Sequence, residues 1–243
     1  MSEKILRLSI LAHIERLAAA GFGGPYASDI SVRWSDSLLV TPARVPAVWR
    51  PAAIARMPLA GEYGAWKGPL APSAEWRIHL DIARARPDVG AILRFQSPYA
   101  TALAMAQKPI PAAHPAIALF GASVIRCSKY APPGAKELAV LALEALGGGH
   151  AALLGNYGAL ATGATLEAAF ARAVELERLA RLYAIALSVG RPAVLTDDEA
   201  QRVGERLKAA GADIDTRVAP SPAKETAAKN APKPKRVARK RRG

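Results

Sequence analysis

The sequence predicts an α/β fold in three layers, with helices covering both faces of a central mixed, largely antiparallel sheet. Three observations lead there. Segments with the 3.6-residue period of amphipathic helices alternate along the chain with short apolar runs that read as strands. Turn signals at Ser35-Asp36-Ser37 and Asn156-Tyr157-Gly158 fold strands into hairpins. The length, 243 residues of which 51% are hydrophobic, suffices for one substantial core.

Leu6, Ile10, Ile14 and Leu17, spaced by three and four with Gly21 beyond, predict a first helix with a glycine stop. Ile30, Val32 and Trp34 alternate with polar residues, and Leu38–Val40 follow the turn, which predicts a β-hairpin. The Pro- and Gly-rich stretch from Thr41 to Pro72 is poorly periodic; a short helix over Ala52–Arg56 and a pair of short strands over Gly61–Trp66 are its expected elements. Ser73 can cap a helix running to about Arg86, because its hydroxyl can accept from an exposed first-turn amide. A strand over Gly90–Phe95, a helix from Pro98, a short strand near Ser123–Arg126 and a helix over Gly134–Leu146 follow. Ala151–Gly155 and Ala159–Thr162 read as strands either side of a tight turn. The longest helix spans Leu166–Leu187 behind a Thr165 cap, and the last opens on a capping box, Thr196 with Glu199, and ends at Gly211.

The net charge of +13 is unevenly spread: residues 219–243 hold nine Lys or Arg against one acid and so carry eight of those charges. With four prolines and little to bury, 219–243 is expected to be a disordered basic tail, leaving 1–218 as one folded domain. Three readings of the tail stay open: a solvated extension, a nucleic-acid-binding segment through Lys233–Arg242, or an anionic membrane surface contact. No aromatics interleave the charges, so base stacking is not expected. The single cysteine, Cys127, excludes an intrachain disulfide or a cysteine-cluster metal site and fits a cytoplasmic protein. No unbroken apolar run of spanning length occurs, so neither export nor a membrane span is expected.

Six motifs, in order, resemble those of the class II aldolase/adducin family over about Ile5 to Asp215. They are Ile30-Ser31-Val32-Arg33 (family GNISVR), Thr41-Pro42 (TPSG), Pro72-Ser73-Ala74-Glu75-Trp76 (PSSEW), Ser97-Pro98-Tyr99-Ala100-Thr101-Ala102, Tyr130-Ala131-Pro132-Pro133-Gly134, and the turn Asn156-Tyr157-Gly158. The resemblance implies a class II aldolase-like fold, a homotetramer, and carbohydrate chemistry on a hydroxy-carbonyl substrate. In the family three histidines hold a divalent metal that polarises the substrate carbonyl, while a glutamate moves a proton. Here the strand that carries two of those histidines, VVHTHSPYATAL in the family, reads Ala91-Ile92-Leu93-Arg94-Phe95-Gln96-Ser97. Arg94 and Gln96 stand at the first two ligand positions and Tyr157 at the third. A guanidinium has no lone pair to give a metal and repels one. The resemblance therefore implies that the family's metal site is lost and that no cofactor is held.

Glu75 remains, as a candidate proton-transfer residue or as a structural carboxylate favoured by the helix N-terminus. If the fold joins them, Arg94 can pair with Glu75, either to avoid a buried unpaired carboxylate or to serve as a fixed cation for an anionic substrate or enolate. The substrate-binding candidates are Asp29, Ser31, Thr41, Arg44, Ser73, Gln96, Tyr130 and Tyr157. Asp29, Ala43, Arg44 and Ala74 depart from the family's phosphate-binding loops; Asp29 repels a phosphate and Arg44 attracts one, so the usual sugar phosphate is not expected. Each of the four histidines, His13, His79, His114 and His150, is weighed as packing ahead of ligation. The expected function is a metal-free small-molecule or partner-binding domain; the alternative is a carbon–carbon lyase, aldolase or decarboxylase, using Glu75 with Arg94 in place of the metal.

Overall fold

A computed structural model describes residues 2–23, 28–43, 50–211 and 214–217. The basic segment 219–243, the expectation of disorder placed on it, and Arg44 lie outside the described residues.

The predicted first helix is α1 (Glu3–Ala19), capped by the Ser2 hydroxyl and closed by Gly21 at φ 76°. The hairpin is β1 (Asp29–Trp34) and β2 (Ser37–Val40), turned through Ser35 and Asp36, with Ser35 at φ 52°. The next stretch departs from expectation. Pro51–Ala53 form one 3-10 turn, and Ala55–Pro58 form β3, which pairs with β2, instead of a short helix. Gly61–Trp66 contain no strand; only Lys67 bridges back to Arg56. Local alanine content favoured a helix there, and the open edge of β2 outweighed it with a row of unpaired backbone groups.

Ser73 caps a turn ahead of α2 (Trp76–Ala85): its carbonyl accepts from the Trp76 amide and its hydroxyl from the Glu75 amide, leaving Glu75 at the helix's N-cap position. Strand β4 (Ala91–Phe95) leads into α3 (Pro98–Met105). The Glu177 carboxylate accepts from the Ser97 hydroxyl and the Tyr99 and Ala100 amides, closing the α3 N-terminus from across the fold. Val124–Ile125 pair as β6 with β5 (Ile110–Pro111) in a two-stranded ribbon around a 3-10 helix, Pro115–Phe120. Then come α4 (Lys136–Leu146), β7 (Ala151–Leu154), β8 (Gly158–Gly163), α5 (Leu166–Val189), α6 (Asp197–Ala209) with its capping box, and α7 (Ile214–Arg217).

Six strands form the central sheet in the order β3-β2-β1-β4-β8-β7, antiparallel at every pairing. The parallel component is an isolated bridge between Cys127 and Leu153 at the β7 edge. Alternation along the strands sorts two cores. Ile30, Val32, Leu93 and Phe95 pack with Ile10, Leu103 and Leu176 of α1, α3 and α5. Leu38, Ile92 and Leu160 pack with Ile78, Leu80 and Leu138 of α2 and α4. This is the predicted three-layer arrangement. The period of two places Asp29 and Ser31 of β1 and Arg94 of β4 on the second face, towards α2.

The β7–β8 turn completes the site. Asn156 adopts φ 57°, and a Cβ at Gly158 would lie 2.5 Å from the Phe95 carbonyl oxygen. Only glycine lets the turn press on the end of β4, and this brings Tyr157 beside Arg94.

Candidate functional site

Asp29 and Arg94 are direct cross-strand partners in the β1–β4 register. Their side chains form an ion pair, Arg94 Nε to Asp29 Oδ2 at 2.5 Å, with the residues 2% and 7% exposed. Burial works against the Arg94 charge, but Asp29 outweighs it and holds the guanidinium's pKa above its ordinary value. The Arg94 guanidinium carbon also lies 5.0 Å from the centre of the Tyr157 ring, in cation–π contact.

Glu75 also acts on Arg94, its charge helping to raise the guanidinium's pKa. Its carboxylate accepts the Tyr157 hydroxyl at 2.7 Å and the Gly134 amide at 3.0 Å. Asp29 with Arg94 and Glu75 with Tyr157 thus stand side by side, with the Arg94 guanidinium over the Tyr157 ring. Register sets Asp29 opposite Arg94, and Glu75 reaches the cluster from the start of a helix one layer away. Burial raises the Tyr157 phenol well above its usual range; Arg94 opposes and the Glu75 hydrogen bond reinforces the shift, so Tyr157 is a proton donor at neutral pH.

These groups share a cleft of about 470 Å³. Asp29, Thr41, Ser73, Glu75, Arg94 and Tyr157 line its polar side. Ser31 is fully buried behind them, in a hydrogen bond with His79 Nδ1 at 2.8 Å. The Gln96 side-chain amide donates to the Tyr157 carbonyl at 2.9 Å and braces the turn; it is not among the cleft's lining residues. Tyr130 is 54% exposed and is not among the cleft's lining residues either. The cleft also has a wall that sequence reasoning did not assign: Ile14, Leu17, Ala18 and Phe22, from α1 and the residues after it. Their spacing of three and four marked a buried helix face, and nothing in that pattern distinguishes burial against a sheet from burial against a ligand.

The three positions that resemble metal ligands meet here: Arg94 lies against Tyr157, and Gln96 binds the Tyr157 backbone. Their polar atoms are poorly suited to a divalent ion. The guanidinium carries positive charge and no lone pair, the Tyr157 hydroxyl points its proton at Glu75, and Gln96 presents its amide N–H to a carbonyl. Among the described residues no three His, Cys, Asp or Glu side chains gather closely enough to hold a metal.

The histidines serve the fold. His13 bridges Ser9 and Glu167, His114 caps the 3-10 helix through the Ala116 amide, and His150 meets Thr162. His79 is fully buried under the site, and its Nε2 has no hydrogen-bond partner among the described residues. Burial pushes its pKa down to about 4, with Asp29 raising it and Arg94 lowering it by less. The folded state thus keeps this imidazole neutral at pH values where the unfolded chain protonates it. Stability is accordingly full above the ordinary histidine pKa and falls with decreasing pH down to about 4. The expected loss is roughly 3 kcal/mol between pH 7 and pH 4, with His150, also pushed down to about 4, adding to it. Urea unfolding across that range measures it; a flat profile would mean that both imidazoles are charged in the fold.

Comparison with known proteins agrees with this fold. The family model described as "Class II Aldolase and Adducin N-terminal domain" matches residues 9–184. A 5-methylthioribulose-1-phosphate/5-deoxyribulose-1-phosphate aldolase of Rhodospirillum rubrum is 41% identical over 218 residues, covering 89% of this chain and 96% of its own. An L-fuculose phosphate aldolase of Escherichia coli K12 is 32% identical, covering 88% of this chain and all of its own. Among solved structures, an L-fuculose 1-phosphate aldolase superposes with a TM-score of 0.76 at 32% identity, over 83% of this chain and 95% of that one.

Proposed function

This chain belongs to the class II aldolase and adducin N-terminal domain family, and on that premise we propose that it is a metal-independent member whose cleft binds a small hydroxy-carbonyl compound. The observation that carries this reading is the Asp29–Arg94 pair. It fixes a guanidinium at the position that resembles the family's first metal ligand, where a metal ion would find no lone pair. Tyr157 and Glu75 supply the hydrogen-bonding groups beside it, one donating and one accepting. No step of metal-dependent aldol cleavage is assigned to the site.

Metal analysis of the purified protein tests the proposal. Zinc and manganese are expected well below one equivalent per chain, and a chelator is expected to leave the thermal midpoint unchanged. One tightly held equivalent of either metal would overturn it.

A specific observation favours a second reading, a carbon–carbon lyase. The relatives above are named as aldolases, and the 2.7 Å hydrogen bond from Tyr157 to Glu75 couples a phenol to a carboxylate inside the cleft. In such a reaction Glu75 takes the proton of a substrate hydroxyl as the adjacent carbon–carbon bond breaks. Arg94 and the Tyr157 hydroxyl stabilise the negative charge that develops on the carbonyl oxygen. Under this reading Glu75→Gln abolishes turnover of a hydroxy-carbonyl substrate. If no such substrate is turned over by the wild type, binding alone remains. A homotetramer and an anionic partner for the Lys233–Arg242 segment belong to the same proposal.

A further inference from the structure

Resting on the metal-independent reading, we propose that the cleft selects a molecule with an uncharged hydroxy-carbonyl head and a short apolar tail, and disfavours sugar phosphates.

The charge of the cleft argues against a phosphate. Its described lining residues include three acids, Glu15, Asp29 and Glu75, and one base, Arg94. That base is held by Asp29 in a buried cross-strand pair, so an incoming dianion must compete with a carboxylate already in place. Several backbone donors among the described residues are also committed. At the start of α2 the Ser73 amide donates to the Thr41 carbonyl, the Glu75 amide to the Ser73 hydroxyl, and the Trp76 amide to the Ser73 carbonyl. The Ala43 amide donates to Ala71, and the Gly134 amide to the Glu75 carboxylate itself. A helix N-terminus binds anions through unsatisfied amides; here an internal carboxylate and hydroxyl already satisfy several of them.

The opposite wall argues for an apolar group. Ile14 and Ala18 are one helical turn apart on α1, with Leu17 between them, and Phe22 beyond stacks on Phe95 at 5.1 Å. Leu17 and Phe22 are buried, but Ile14 is only half-buried and Ala18 is exposed, so apolar surface faces the cleft directly. A head held by Tyr157 and Arg94 would direct a substituent of a few carbons along this wall, where its removal from water stabilises the complex.

Three α-hydroxy ketones with a common head separate the two claims in ligand-observed titrations on chelator-treated full-length protein. 1-Hydroxy-2-heptanone should bind at least about tenfold more tightly than hydroxyacetone, since four added methylenes need only partial burial to reach that ratio. Dihydroxyacetone phosphate should bind more weakly than hydroxyacetone. The variant Ala18→Asp is expected to erase the difference between the two neutral ketones. Asp29→Asn, checked for folding by its thermal midpoint, should raise the affinity for dihydroxyacetone phosphate about tenfold. Equal binding of the neutral ketones, no binding of 1-hydroxy-2-heptanone, or tighter binding of the phosphate by the wild type each overturns the inference. The metal-independent reading fails separately, on the metal content of the untreated protein.

Discussion

Replacing Arg94 with leucine is expected to destabilise the protein by about 3–5 kcal/mol, among the largest effects of any single substitution in the chain. Asp29 would remain almost fully buried on the sheet face, with its cross-strand partner gone. The cost is that of a stranded charge, and the double variant isolates it. Asp29→Leu with Arg94→Leu is expected to recover most of the loss, because two apolar side chains of similar volume can replace a buried ion pair at little net cost. Chemical denaturation of the wild type, both single variants and the double variant forms a complete cycle. Additive losses would mean that the pair contributes no coupling and that Arg94 is held by its other neighbours. A double variant that recovers stability but no longer binds hydroxy ketones would show that the pair was retained for recognition.

The second large effect is a gain. Arg94→His, Gln96→His and Tyr157→His together are expected to convert a chain with substoichiometric zinc into one holding a single equivalent. The three positions already converge: Arg94 and Tyr157 are in ring contact, and the Gln96 side chain reaches the Tyr157 backbone. Neutral imidazoles supply the lone pairs that a guanidinium, an amide N–H and a phenol do not. Removing Arg94 also removes the repelling charge, and a bound cation would restore a partner to Asp29. Zinc titration with a competing chelator measures the outcome. Failure of the folded triple variant to bind zinc would show that the three positions are no longer set for a common ion.

Much of this was legible before the fold was known. The motif order named the family, and the hairpins, the long α5 and the capping box at Thr196 appear where the periodicity placed them. The resemblance groups Glu75, Arg94, Gln96 and Tyr157; Glu75, Arg94 and Tyr157 line the cleft, and Gln96 braces the Tyr157 turn from outside it. The failures share a cause. Ala52, Ala53 and Ala55 satisfy a local helix preference over Ala52–Arg56, and only the unpaired edge of β2 overrides it. Opposite charge points to Glu75 as a partner of Arg94, but no local pattern points to Asp29, which strand register places opposite Arg94. Asp29 had been read as a departure that repels phosphate, without its role in neutralising Arg94. The apolar wall from α1 could not be distinguished from ordinary core.

By itself the sequence determined the family, the layered fold and the identity of the residues at the three ligand-like positions. Periodicity, caps and motif order depend on residues near one another in the chain, and these act before distant strands meet. The tertiary structure decided who pairs with whom. Strand register set Asp29 against Arg94, the glycine turn at 158 carried Tyr157 to Glu75, and helix packing laid an apolar face along the polar site. In a buried site a charge takes the partner that geometry brings within hydrogen-bonding distance, and that distance is a property of the whole fold.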